Sequence, residues 1–367
     1  MSAINMTTRL YLFIAICFFM TTCTKKQEIG PEPSSANDKV FFAQLKKAGD
    51  EFAKGDIWQG YNFDKMPMYF IYRDADGTPT RGYVVNPAQV IFGAEKLSDA
   101  EGQGLNIYRY DLKMVHANNQ LKAGNDFFDF YYNIDGVDYY LQAYDDEQIA
   151  NDWAITFAVH ECFHIFQRAD WNPNPGIIFD RENYPLNADL LSYQLLLLKI
   201  AEKMPKETDQ TKIRGYLEMY VALREEEMKI DPTSAKLVTF MANNQEEREG
   251  TARYIEHLIK SRILPNYTTN RPSFSSINLA QLTIQQQVRQ AFGFSIWYGT
   301  GAAVIYMLAN QGVDIEAQIQ SNKNVYEVAV DHLNLTDAQK TAALNQAKVE
   351  FDWANIQQEA ARLMALQ

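Results

Sequence analysis

Apolar and polar positions follow two rhythms along this chain, and the change falls near residue 150. Residues 37–55 open with Phe41, Phe42, Leu45 and Phe52 at near-helical spacing, so one amphipathic helix is predicted there. From Met66 to Tyr144 the period drops to two. Residues 68–72 and 81–85 flank Asp74-Ala75-Asp76-Gly77-Thr78-Pro79, whose Asp-Gly and Pro predict a hairpin loop. Residues 127–132 and 139–144 flank Asn133-Ile134-Asp135-Gly136, a second hairpin, and 105–110 supplies another strand. From Asp152 onward the rhythm is helical, with helices predicted over 190–204, 215–229, 284–288 and 300–308. The run Leu195-Leu196-Leu197-Leu198 predicts a helix buried on most sides, and Arg224-Glu225-Glu226-Glu227 reads as a solvated face. Leu335-Thr336-Asp337-Ala338-Gln339 is a capping signal before the last helix. Strands followed by helices predict an α+β fold, with a β-rich part over 37–150 and a mostly helical body over 151–367.

The N-terminus belongs to targeting rather than to the fold. Arg9 closes a polar segment, and the apolar run over 10–20 is too short for a bilayer, which needs about 20 apolar residues. Met20-Thr21-Thr22-Cys23 follows directly, and the whole resembles a bacterial lipoprotein signal. The resemblance implies cleavage after a signal peptide at 1–22 and lipidation of Cys23. It also implies anchoring at the bacterial cell envelope, on the outer membrane, facing periplasm or exterior. Residues 23–36 are rich in Pro, Ser and charge and cannot build a core, so they read as a flexible tether. With 46 Asp+Glu against 34 Lys+Arg, the chain is acidic, which argues against nucleic acid and against a basic lipid-binding patch. The membrane contact predicted is the lipid anchor alone. Beyond Cys23 only Cys162 remains, so no disulfide framework holds the fold.

The candidate chemistry lies in His160-Glu161-Cys162-Phe163-His164, an H-E-x-x-H set in a chain with only five His. Two His at i and i+4 share one side of a helix, so both imidazoles can reach one Zn²⁺ at about 2.0–2.1 Å. Glu161 then stands where its carboxylate can hold a water and take its proton. Cys162 falls roughly 200° round from each His and faces away. Two His and a water leave tetrahedral zinc one protein ligand short. The extended H-E-x-x-H-x-x-G-x-x-H pattern is absent, because Gln167 and Asp170 occupy the Gly and His positions. Glu249, Asp189, Glu182 and Glu246 are the acids available as third ligand. Asp189 also reads as a first-turn carboxylate on its own helix, and Glu246 as a partner for a ligand's free N–H. An oxyanion in the transition state calls for a further donor. Tyr298 and Tyr254 are the candidates, with His257 behind them, whereas His116 and His332 carry no motif.

Glu249-Gly250-Thr251-Ala252 with Tyr254 resembles the glutamate helix of the gluzincin metallopeptidases, and Trp297-Tyr298-Gly299-Thr300-Gly301 is similar to a segment of uncharacterised bacterial zinc-protease lipoproteins. The resemblance covers about 152–310. It implies a zincin-like fold and Glu249 as the third ligand, with small residues beside it that permit close packing on the metal helix. It implies a zinc-dependent hydrolase that cleaves a peptide or protein substrate, with Glu161 as general base. Two other readings stay open: a metal-binding surface lipoprotein without activity, and a metal hydrolase acting on something other than peptide.

Overall fold

The computed structural model describes residues 34–171, 183–265, 267 and 273–367. The signal segment, Cys23, most of the tether and Glu182 lie outside the described residues. Residues from Asn37 to Gln367 form one compact unit. The architecture is α+β. A first helix, α1 (Ala36–Phe52), precedes a six-stranded sheet of order β3-β4-β2-β1-β6-β5. The strands are β1 (Met68–Arg73), β2 (Pro79–Val85), β3 (Glu95–Lys96), β4 (Ile107–Arg109), β5 (Phe128–Ile134) and β6 (Val137–Tyr144). Both hairpins form as the turn residues predict, β1–β2 and β5–β6 each antiparallel, while β1 and β6 pair in parallel at the centre.

Alternation buries both faces of this sheet. Phe70 and Tyr144 point to one side, where Phe41 of α1 meets them at 5.0 and 4.7 Å between ring centroids. Tyr69, Ile71 and Leu141 point to the other side and are covered by Ala117 and Leu121 of α2 (Met114–Ala123). The sequence rhythm did not disclose α2, because Val115 in its first turn is exposed and its apolar stripe is thin. Asp38 in the first turn of α1 is fully buried and fastens that helix to the sheet. Its carboxylate lies 2.8 Å from Arg81 Nε and accepts from the hydroxyls of Tyr83 (3.0 Å) and Tyr144 (2.8 Å).

The helical body follows: α3 (Trp153–Asp170), α4 (Ala188–Lys203), α5 (Gln210–Ile230), α6 (Leu237–Ile263), α7 (Ile296–Asn310), α8 (Val325–Leu333), α9 (Asp337–Glu350) and α10 (Trp353–Met364). Leu195, Leu196, Leu197 and Leu198 of α4 are all buried, as a helix surrounded by others requires. Thr336 does cap a helix with Gln339, but it opens α9 rather than the last one. Asp352, at φ 55°, interrupts the run and caps α10. The charged run on α5 is not the solvated face its composition predicts, because Arg224 and Glu227 are fully buried. The apolar run Gln285–Asn310 has the length and hydropathy of a membrane span, yet 78% of its most apolar window is buried. It is a core helix, and a π-helical turn at Ala291–Ser295 sets the phase in which α7 begins.

Candidate metal centre

Two helices make the site. In α3 the residues Ala154, Ile155, Ala158, Val159, Cys162 and Phe163 are all buried in the core. Their face fixes the rotation of the helix and turns His160 and His164 to the opposite side, toward α6. Cys162 is accordingly sealed in the core, where burial pushes its thiol well above the usual range.

Glu249 of α6 comes to meet the histidines. His164 Nε2 lies 3.0 Å from Glu249 Oε2 and 3.2 Å from His160 Nε2, and His160 Nε2 lies 3.5 Å from the same Glu249 oxygen. All three residues are buried. Ligands held at 2.0–2.1 Å around a tetrahedral ion stand about 3.3 Å apart. The observed triangle has the size of one face of that tetrahedron, so these donors fit a metal ion of zinc's radius. Their chemistry fits as well, because two imidazole nitrogens and a carboxylate are donors that zinc accepts.

The surroundings orient each histidine. Gln167 Oε1 is 2.6 Å from His164 Nδ1, which fixes Nδ1 as the protonated nitrogen and leaves the Nε2 lone pair for the metal. Gln167 Nε2 in turn donates to the Arg248 carbonyl (2.9 Å) and to Thr251 Oγ1 (2.6 Å), clamping α3 to α6. The residue that breaks the extended motif is therefore a positioning residue. Behind His160, Glu256 Oε2 lies 3.4 Å from Nδ1, within ion-pair distance but too loosely aligned for a hydrogen bond. Arg253 (2.7 Å) and Lys260 (2.6 Å) hold the other oxygen of Glu256. Glu256 was not singled out from sequence, although it lies two turns past Glu249 on the same side of α6.

Negative charge prevails at this centre. Burial disfavours a charged His160, yet the carboxylates of Glu249, Glu256 and Glu161 outweigh it and push its pKa up to about 10. Burial opposes ionisation of Glu249 too, but the two histidines hold its carboxyl well below the usual range. Glu161 is 8% exposed, and its carboxylate makes no hydrogen bond or ion pair among the described residues. Burial raises its pKa, against the pull of His160 and His164. Tyr298 stacks on the His160 ring, centroids 5.7 Å apart and planes 9° apart. Burial and the carboxylates of Glu249 and Glu161 raise its pKa, which keeps the phenol a hydrogen-bond donor.

No protein-family profile, curated protein or solved structure matches this chain.

The remaining candidates fall elsewhere. Tyr254 is five residues past Glu249, about 140° round the helix, and its phenol is surrounded by Tyr306, Arg262 and Glu316. It does not reach the metal donors. His257 Nδ1 is bonded to the Tyr267 hydroxyl beside the Phe274 ring. Asp189 is exposed in the first turn of α4, behind the Asn187 cap. His116 bonds the Tyr132 hydroxyl at 2.9 Å. Glu246 does not back a histidine, because Arg224 and the Tyr220 hydroxyl (2.6 Å) take its carboxylate. Gly250 does allow a close helix approach, but the neighbour is α7 and not the metal helix. A Cβ on Gly250 would meet Gly301 Cα at 2.5 Å, and one on Gly301 would meet the Glu246 carbonyl at 2.5 Å. This backbone-to-backbone crossing brings Tyr298 beside His160.

Proposed function

We propose that the chain is a zinc-dependent peptidase of the gluzincin kind, zincin-like in fold and held at the bacterial cell envelope through a lipid on Cys23. The observation that carries the reading is the buried triangle of His160, His164 and Glu249 donors with the unpaired carboxylate of Glu161 beside it. When bound, zinc supplies a Lewis acid and lowers the pKa of a water it holds. The chain's own groups do the rest. His160 and His164 present their Nε2 lone pairs, with Gln167 bonded behind the His164 ring and the Glu256 carboxylate beside the His160 ring. Glu161 accepts the proton of the attacking water and returns it to the departing amine. Tyr298 donates its hydroxyl proton in a hydrogen bond to the oxygen that gains charge in the transition state. Burial strengthens each of these interactions.

The test is a peptide-library digestion by the mature chain loaded with one zinc, beside Glu161→Gln. Cleavage by the wild type, with a loss of about 10²–10⁴-fold in the variant at unchanged zinc content, is the expected result. Near-normal turnover by Glu161→Gln removes Glu161 as the base. No cleavage by zinc-loaded wild type overturns the peptidase reading.

A further inference from the structure

The face of α3 that carries the metal donors continues beyond them in both directions. At 100° per residue, Trp153, Phe157, His160, Glu161, His164 and Arg168 fall within a sector of about 100°. Trp153, Phe157 and Arg168 are partly exposed, whereas the far side of the helix is sealed in the core. Trp153 and Phe157 lie face to face, centroids 4.2 Å apart and planes 13° apart. Phe127, just before β5, and Phe128, its first residue, close on them at 5.8 and 5.2 Å. Phe130 meets Phe128 at 4.9 Å and His164 at 6.4 Å, and it carries the Arg168 guanidinium 4.0 Å from its centroid.

A local irregularity builds this strip. In β5 the register shifts by one residue between Asp129 and Tyr132. The bulge lets Phe128 and Phe130 face α3 while Tyr132 and Ile134 turn to the opposite side of the sheet. The result is an aromatic shelf at one end of the metal centre and a guanidinium at the other. Arg168 makes no ion pair or hydrogen bond among the described residues and is free to meet a carboxylate. In a chain of net charge −12, a cation placed there is selective. Partly exposed aromatic side chains in mutual contact make an apolar patch of the kind that marks interaction sites.

We propose that this strip binds an extended polypeptide segment, with a large aromatic side chain against Trp153 and Phe157 and an acidic side chain against Arg168. The inference rests on the reading of the centre as one that takes a polypeptide. From Phe157 to Arg168 the helix rises about 16 Å. An extended chain at about 3.3 Å per residue covers that distance in about five residues. The aromatic and acidic residues of the segment are therefore about five apart, with the metal donors between them.

The test uses the zinc-loaded Glu161→Gln mature chain and short fluorescein-labelled peptides read by anisotropy. One peptide carries Phe and Glu five residues apart, one has Ala for the Phe, and one has Lys for the Glu. Both orders of the two residues are made. In one order, the Phe/Glu peptide is expected to bind at least about tenfold tighter than either control. Adding Phe157→Ala should erase the dependence on Phe and keep that on Glu. Adding Arg168→Glu should reverse the choice between Glu and Lys, a switch that general damage to the fold does not produce. Equal binding of all three peptides in both orders, or preferences untouched by these substitutions, overturns the proposal. Wild-type cleavage of the same peptides separates the two claims. Binding with this pattern but no cleavage removes the hydrolase reading and leaves the recognition surface, and cleavage without the pattern does the reverse.

Discussion

Helix α6 carries two buried acids one turn apart, Glu246 and Glu249, and they sit in opposite kinds of charge cluster. Around Glu246 the cation is part of the chain. Arg224 binds both Glu246 and Glu227, Tyr220 adds a hydroxyl, and the Trp297 ring covers the guanidinium at 4.9 Å. Around Glu249 the close partners are two imidazole nitrogens at 3.0 and 3.5 Å, with the Arg248 guanidinium farther off, 3.9 Å from the other carboxylate oxygen. The first cluster carries its own cation. The second has its donors aimed at one point, where a proton on His160 or a metal ion balances the carboxylates. Burial of an acid therefore does not separate a structural role from a ligand role. The partner's chemistry does.

The difference can be broken at either end. The largest effect is expected at the open cluster. His164→Ala or Glu249→Ala should lower zinc affinity by well over 100-fold, since even residues that only orient a ligand account for about 10–100-fold. Glu246→Gln should leave the zinc content unchanged, and equal loss in the Glu246 and Glu249 variants, measured by metal titration, would erase the distinction. At the closed cluster the expected effect is on stability. Arg224→Ala leaves two carboxylates buried without their cation and should cost about 3–5 kcal/mol in denaturant unfolding. Arg224→Ala combined with Glu227→Gln and Glu246→Gln should recover part of that loss. A smaller effect is expected behind His160. Glu256→Gln should weaken zinc binding by about 10–100-fold while keeping one zinc per chain at saturation.

The legibility of the two clusters differed in the same way. His160, Glu161 and His164 are local, one turn of one helix, so spacing alone brings them together. The hairpins were legible because Asp-Gly and Asn-x-Asp-Gly turns impose them. Glu249 stood out only through its resemblance to a known glutamate helix, since it is far from His164 in sequence. The Arg224 cluster was misread, because Arg-Glu-Glu-Glu on a helix has the same composition whether it faces water or a neighbouring acid. Only the approach of α6, which brings Glu246 against Arg224, decides that. Glu256 and Gln167 did leave a signal, each being a polar residue on the site-facing side of its helix, two turns past Glu249 and three residues past His164. Tyr254 lost its place for the converse reason, lying on the wrong side of α6.

The central claim is that His160, His164 and Glu249 together hold one zinc ion. Anomalous diffraction at the zinc edge, from crystals of the zinc-loaded protein, tests it most directly. The expected result is a single strong peak about 2.0–2.1 Å from His160 Nε2, His164 Nε2 and a Glu249 oxygen. A peak that excludes Glu249, or one centred at Asp189 or elsewhere on the molecule, would contradict it.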